Sequence, residues 1–505
     1  MENIEIQKKE SKKKILEWLS NKNNLYLVLI IAFAVIVRLY YFFLTKDQAV
    51  WWDEAEYLVK AKSLALGTPD TGFWPGRPVL FPLMLSAFYF LSLGEVSIRF
   101  VMLFVSIASV YLVYLVGRKM FDERVGLISS FLYSLVYINL FYSMRIMTDI
   151  PHVTLGLLAF YFFLTKKPKL VWFVVPILAL ATLIRFPAFF FFVILLIYVA
   201  VTEKLSALKN RDYWISAGLA ALIAVLYMIW SWIKYGHPLY AVITAGGGSI
   251  GGITLSSAMS VLKEYIYSFP MYLHSLLLVM FLIGIFYLFE IFIGFDLLWK
   301  GGNEEISYKF LTLLWIVIPL AYFGFGVSHY EDRYIFMAFP AIFFMLAFSI
   351  DKISSYIRKY SKFIAIFFVI IVLAIGGYQL LSHSDTIIKE KIPSFEQLKE
   401  TGSWIKEHTG PSDKIMIRSH PQNTYYSERA SYTISTEEND FVNNFSEINP
   451  KYVVFSLFDS PQDSNWWGYN FSHVQSKYNL ALVKAIPDDS PIVVIFEKAA
   501  SVSKI

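Results

Sequence analysis

The chain has 505 residues, of which 57% are hydrophobic, 18% aromatic and only 16% charged. Soluble domains average about 45–50% apolar, so an ordinary water-soluble fold is excluded. The net charge of +5 is modest and gives no reason to expect a nucleic-acid partner, and the lack of cysteine excludes disulfides, thiolate catalysis and cysteine-held metals.

In chain order, Lys8, Lys9, Lys12, Lys13 and Lys14 precede a first apolar run at 25–44. Positive charge before a span places the N-terminus in the cytoplasm. No small-residue cleavage site follows, so the run is expected to stay as a helix. Further apolar runs fall at 78–94, 97–117, 125–144, 150–164, 171–184, 187–201, 213–233, 271–296, 308–327, 334–350 and 362–381. Most approach the roughly 17–25 residues that cross a bilayer core. The connectors "GRKMFDER", "TKKPK", "EKLSALKNR", "WKGGNEEISYK" and "DKISSYIRKYSK" are basic or mixed and read as cytoplasmic.

Counting 78–94 as a span would put Arg118, Lys119, Arg124 and the later basic loops outside. Reading it instead as a helix on the outer surface restores every loop; Pro78 and Pro82 near its start and Gly76 and Gly94 at its edges suit that reading. The expectation is eleven spans, an outer loop from Asp53 to Arg99 containing a first surface helix near 54–66, and a second long outer loop at 234–270. Residues 385–505 turn polar, with short strand-like runs ("KIMIRS", "KYVVFSLF", "NLALVKAI", "PIVVIFE"), and read as a small α/β or mainly β domain outside the cytoplasm. Its Asn-x-Ser triplets at Asn444 and Asn470 fit that location. The organisation expected is a basic cytoplasmic tail (1–24), a helical membrane domain (25–384) and an extracytoplasmic domain (385–505), in a multi-pass protein of the cell membrane.

On this topology the unusual polar residues collect on the outer face: "AVWWDEAEYLVKAKSLALG" (49–67), Arg77, "SMRIMTDIP" (143–151), "LIRFP" (183–187) and "SHYEDRY" (328–334). Interfacial charges beside tryptophans can serve only as anchors. An acid cluster, three or more arginines and a His-Tyr-Glu-Asp-Arg run converging from distant loops favour a site instead.

These stretches resemble, in the same order, the GT-C glycosyltransferases that use polyprenyl-phosphate sugars: the protein O-mannosyltransferases and the aminoarabinose transferases that modify lipid A. The acidic stretch is similar to their first outer loop, "GRPVLFPLMLSAFYFL" to their Pro-rich surface helix, the segment ending "SMRIMTDIP" to their next two spans, and "HYEDRYIFMAFPA" to a late Arg-Tyr segment. The resemblance implies a polytopic GT-C membrane enzyme that moves a sugar from a dolichyl or other polyprenyl phosphate, with inversion, to a hydroxyl on a protein, lipid or glycan acceptor outside the cytoplasm. Asp53 then matches the catalytic base and Glu54 the second acid, which orients the acceptor. Arg77 and Arg333 match phosphate ligands, a role suited to the planar guanidinium fork. Arg185 joins them more loosely, standing as Arg-Phe-Pro where the family commonly has Lys-Gly-Pro. Asp149, Arg145, Tyr57, His329, Glu331 and Tyr334 are the remaining candidates for contact with donor or acceptor.

Simpler readings accompany these. Arg145 and Asp149, one helical turn apart, can be an i,i+4 ion pair. His329 and Glu331 are candidate ligands for a divalent metal, but two ligands in one loop fall short of a site. "AGGGSIGGITLSS" lacks the Lys-Ser/Thr of a phosphate loop and reads as a lid. "NWWGYN" (465–470) resembles an oligosaccharyltransferase motif, but Gly468 stands where that motif has Asp. An oligosaccharyltransferase moving a preassembled glycan is the alternative of the same class. A lipid or solute transporter is the alternative of another; transporters place ionisable groups near mid-membrane and show repeats.

Overall fold

The computed structural model describes residues 17–249, 254–300, 303–327, 329–459 and 466–498. The basic lysines of the N-terminal tail and residues 250–253 of the expected glycine lid lie outside the described residues. The chain divides into two compact units, one of 1–43, 76–78 and 99–389, the other of 44–75, 79–98 and 390–505.

The first unit is helical. Among the described residues, seven helices are long and apolar enough to cross a membrane: Lys22–Thr45, Glu95–Met120, Arg211–Tyr235, Ala258–Ile293, Glu304–Phe325, Asp332–Arg358 and Lys362–Glu390. Asp149–Thr165, Pro168–Ile184 and Phe186–Thr202 are shorter apolar helices. At 17 residues the first of these spans about 25 Å. The helix at the centre is Phe339–Arg358, buried without interruption from Phe339 to Asp351. Trp315 packs beside it, fully buried, with its indole N–H donating 2.7 Å to the Met337 carbonyl and its ring 4.0 Å from Phe160.

Two segments differ from expectation. The run 125–144 is not one helix. Asp122 caps Glu123–Leu135 by accepting from the N–H groups of Arg124 and Val125, and Val136 then turns extended before a short helix, Tyr137–Tyr142. The break deprives nearby carbonyls of their helical partners, and the guanidinium of Arg38 donates to one of them, Ser134 O, at 3.2 Å. The loop expected at 234–270 is largely helical, over Tyr240–Ser249 and from Leu255 onward. In the second of these the apolar positions Val261 and Tyr265 recur at helical spacing and are buried, which gives the segment a face to pack. That helix carries Pro270 and a non-helical His274 (φ 57°), where its two parts meet at a kink.

In the second unit, Trp52–Leu66 ends at Gly67, whose φ of 71° only glycine adopts without strain. The segment expected at 78–94 forms Leu80–Phe90, 11 residues or about 16 Å, too short to cross a hydrocarbon core. The C-terminal part is α/β. Five strands, β1 (Lys414–Ile417), β2 (Ala430–Tyr432), β3 (Tyr452–Ser456), β4 (Leu480–Ile486) and β5 (Val493–Lys498), lie in the order β2-β1-β3-β5-β4. β1 pairs parallel with β2 and β3; β5 pairs antiparallel with β3 and β4. The period-two alternation of β3 serves both faces: Val453 and Phe455 meet Phe441 and Val474 in one apolar layer, while Tyr452 and Val454 meet Leu398 and Ile405 in the other. Helices therefore cover both sides of the sheet.

Candidate functional site

The acid stretch opens the helix Trp52–Leu66, whose first turn favours negative charge. Each carboxylate has a distinct setting. Glu54 is fully buried and accepts a 2.8 Å hydrogen bond from the Trp51 N–H, closing the helix's own start. Glu56 is buried and accepts from the Trp52 indole at 2.7 Å. Asp53 is the partly exposed member of the three. Glu54 and Glu56 thus both hold the start of this helix through hydrogen bonds, while the Asp53 side chain keeps some exposure.

What holds this helix lies more than 350 residues further along the chain. The Trp52 ring meets His420 edge to face at 5.3 Å. Lys62 Nζ donates to Glu428 at 2.9 Å and to the Tyr425 carbonyl at 3.1 Å. The Tyr425 hydroxyl donates to Glu95 at 3.0 Å and lies 3.1 Å from that of Tyr89, and the Val50 N–H donates to Tyr426 at 2.8 Å. Tyr57, buried, packs edge to face against Phe81 at 5.2 Å and so ties the helices Trp52–Leu66 and Leu80–Phe90 together. Burial lowers the Lys62 amine, with Glu428 opposing. Burial pushes the Glu428 carboxyl up, but hydrogen bonds from Lys406 and Lys62 outweigh it and leave it below its ordinary value. Burial likewise lowers His420, with its hydrogen bond to the Arg418 carbonyl opposing.

The first unit gathers a second group. Arg185 Nη1 stands 3.1 Å from the carboxylate of Asp149, which is wholly buried, and donates to the Thr148 hydroxyl at 3.1 Å. Its guanidinium lies 5.8 Å from the centre of the Tyr334 ring. Tyr334 meets His329 (Nε2 to hydroxyl 3.2 Å), His329 stands 3.6 Å from Glu331, and Glu331 accepts from Arg333 Nε at 2.5 Å. Asp149, Arg185, Tyr334, His329, Glu331 and Arg333 are thus one connected cluster drawn from three segments. Arg145 is buried with its guanidinium 5.3 Å from the Phe141 ring centre, and Arg185 is the cation in ion-pair contact with Asp149. Arg77, partly buried, belongs to this unit through the short segment 76–78.

Several residues of this region escaped the sequence reading. Asp332 accepts hydrogen bonds from the hydroxyls of Tyr137 and Tyr142, which fixes the turn carrying Arg333. Two tyrosines five apart after an apolar run were the only signal. Arg38 sits inside the first span, fully buried, donating to Ser106 Oγ at 2.9 Å, Ser134 O at 3.2 Å and Asn139 Oδ1 at 3.4 Å. A lone arginine in an apolar run is worth singling out, since a cation there needs partners.

Among the described residues no group of three His, Cys, Asp or Glu could hold a metal ion. His329 and Glu331 supply two ligands, and Glu331 is already engaged by Arg333, so this pair does not fit a resident divalent cation. Of "NWWGYN", Asn465 lies outside the described residues, while Trp466 is buried and packs 6.0 Å from Phe455, a core position in the C-terminal domain.

Two family models match parts of the chain: dolichyl-phosphate-mannose-protein mannosyltransferase over residues 76–232, and the Alg9-like mannosyltransferase family over 266–425. No curated protein matches the sequence. Solved structures match over nearly the whole chain. ArnT from Cupriavidus metallidurans bound to undecaprenyl phosphate aligns with a TM-score of 0.66 at 12% identity, covering 94% of this chain and 98% of that one. The Archaeoglobus fulgidus oligosaccharyltransferase tethered to an acceptor peptide with the NVT sequon aligns at 0.63 and 13% identity, covering 96% and 75%. The archaeal oligosaccharyltransferase AglB from the same organism, with an inhibitory peptide and a dolichol-phosphate, aligns at 0.61 and 14%, covering 97% and 75%. With seven helices among the described residues long and apolar enough to cross a membrane and a C-terminal α/β domain, the chain is a membrane protein of the GT-C glycosyltransferase fold.

Proposed function

We propose that this protein transfers a single sugar from a polyprenyl phosphate to an acceptor hydroxyl at the extracytoplasmic surface, with Asp53 as general base. The acceptor oxygen attacks the anomeric carbon as Asp53 takes its proton. The bond from that carbon to the phosphate oxygen breaks, and the electron pair leaves with the polyprenyl phosphate. A phosphate needs no general acid to depart, but it needs positive charge, which Arg333, Arg185 and Arg77 supply. Asp149 holds Arg185 at 3.1 Å and Glu331 holds Arg333, so neither guanidinium has to be ordered when the donor arrives. Glu54 supports the helix start, and Tyr334 lines the arginine cluster for donor or acceptor.

The observation that carries this reading is that connected arginine cluster, in a fold whose ArnT member is known bound to undecaprenyl phosphate. Both matched families are mannosyltransferases by description, which favours a hexosyl over a pentosyl donor. The chain's likeness to AglB favours a second reading, transfer of a preassembled glycan from a lipid carrier to a peptide. Purified protein given labelled polyprenyl-phosphate mannose, polyprenyl-phosphate aminoarabinose or a lipid-linked oligosaccharide separates these. The expected result is consumption of a monosaccharide donor that drops about 10²–10⁴-fold in Asp53→Asn. Consumption unchanged by that substitution removes the assigned base, and consumption of the oligosaccharide donor alone selects the second reading.

A further inference from the structure

The membrane unit contains a groove that the transfer reaction does not use. It has a volume of about 550 Å³ and runs between the helices Lys22–Thr45, Glu123–Leu135, Phe339–Arg358 and Lys362–Glu390. Its composition changes along its length. Leu29, Ile30, Leu127, Phe131, Ile370 and Leu373 line the stem, while Asn23, Arg124, Asp351 and Arg358 stand at one end. From Ile366 to Ala374 the stem follows one helix for about 12 Å, the reach of roughly ten methylenes. The polar end coincides with the basic connectors "GRKMFDER" and "DKISSYIRKYSK", which follow the positive-inside pattern.

We infer that this groove binds one anionic phospholipid of the cytoplasmic leaflet, its phosphate at Arg124 and Arg358 and an acyl chain along the stem. Charge complementarity carries the choice of an anionic occupant. Two lining guanidinium groups face the carboxylate of Asp351, and Asp122 and Glu123, the latter accepting from Asn23 at 2.8 Å, add two acids beside them. The two connectors together still carry seven basic residues against these three acids, so this end has an excess of positive charge. Arg124 Nη1 is 3.4 Å from Asp351 Oδ1, which engages one of five N–H donors and leaves the fork able to share a phosphate. Basic pockets between helices on the cytoplasmic side are the setting in which anionic headgroups are selected over zwitterionic ones. A groove wholly apolar would show no such preference. The site stands apart from the Arg185–Arg333 cluster in residues and chemistry, so it is independent of the proposed transfer reaction.

The test uses the full chain in nanodiscs of phosphatidylcholine doped with chain-matched phosphatidylglycerol, followed by detergent extraction and native mass spectrometry. One phosphatidylglycerol should stay with the protein in preference to phosphatidylcholine. Arg358→Gln should weaken that preference about fivefold, the effect of one basic residue on an anionic lipid. Ala374→Phe, at an exposed position on the stem, should displace the retained lipid while leaving the elution profile unchanged. Equal retention of the two lipids by the wild type, or a preference untouched by Arg358→Gln, overturns the inference and leaves annular lipid only. Donor turnover is not a readout here, so failure of the transfer reading would not affect the result.

Discussion

Replacing Arg185 separates a structural role from a chemical one. In Arg185→Gln the buried carboxylate of Asp149 loses a cation 3.1 Å away, Thr148 loses a donor, and Tyr334 loses the guanidinium beside its ring. Asp149 is wholly buried and Arg185 nearly so, hence solvent screens this pair little. Removing one partner of such a pair costs about 3–5 kcal/mol, because the remaining charge stays buried. Removing both charges avoids most of that cost. The double variant Arg185→Gln/Asp149→Asn should therefore recover most of the stability lost in Arg185→Gln, as measured by thermal unfolding in detergent. Turnover should behave differently if Arg185 touches the donor phosphate. A hydrogen bond to a charged group contributes about 1.5–3 kcal/mol, so kcat/KM for the donor should fall roughly 10–150-fold. Asp149→Asn cannot restore that loss, because the missing contact is to substrate. Recovery of stability with activity still low supports the assignment. If the double variant regains both, Arg185 only balances Asp149 and is no phosphate ligand.

The remaining predictions concern the unit that carries Asp53. Glu54→Ala removes the acceptor for the Trp51 N–H and should cost about 1 kcal/mol of stability, whereas Glu54→Gln, which can still accept, should cost less; thermal unfolding compares them. Gly72→Ala places a Cβ 2.7 Å from the Cα of Pro421, so backbone must shift at about 1–3 kcal/mol, and limited proteolysis of the C-terminal domain should quicken. His420, buried, has a folded pKa below its unfolded value. Its contribution is present above about pH 6.5 and is lost as the pH falls from there toward the folded value, because the unfolded chain then binds the extra proton. Unfolding midpoints between neutral and mildly acidic pH should drop more for the wild type than for His420→Gln; equal slopes would rule out this histidine as the source.

Much of the architecture is legible in the chain because the bilayer imposes a length on apolar runs. A span needs about twenty apolar residues whatever surrounds it, and Lys22–Thr45, Arg211–Tyr235 and Lys362–Glu390 appear close to where composition places them. The four strand-like runs of the C-terminal domain are likewise present, since alternation is a local property. The three-residue strand β2 was missed, because its pairing to β1 supplies what its length cannot. The resemblance read from "WWDEAEYLVKAKSLALG", "GRPVLFPLMLSAFYFL", the segment ending "SMRIMTDIP" and "HYEDRYIFMAFPA" pointed to a GT-C transferase, and the fold agrees.

The sequence by itself determined a polytopic chain, the positions of its apolar runs and a set of candidate acids and arginines, because period, length and charge are written along the backbone. Tertiary structure alone decided which of those charges meet. It selected Arg185 as the cation beside Asp149, set Tyr137 and Tyr142 on Asp332, and satisfied Arg38 inside a span. It also joined residues 420–428 to the Asp53 helix in one compact unit. A buried polar group is stable only beside its complement, and that complement can lie hundreds of residues away, where no local pattern records it.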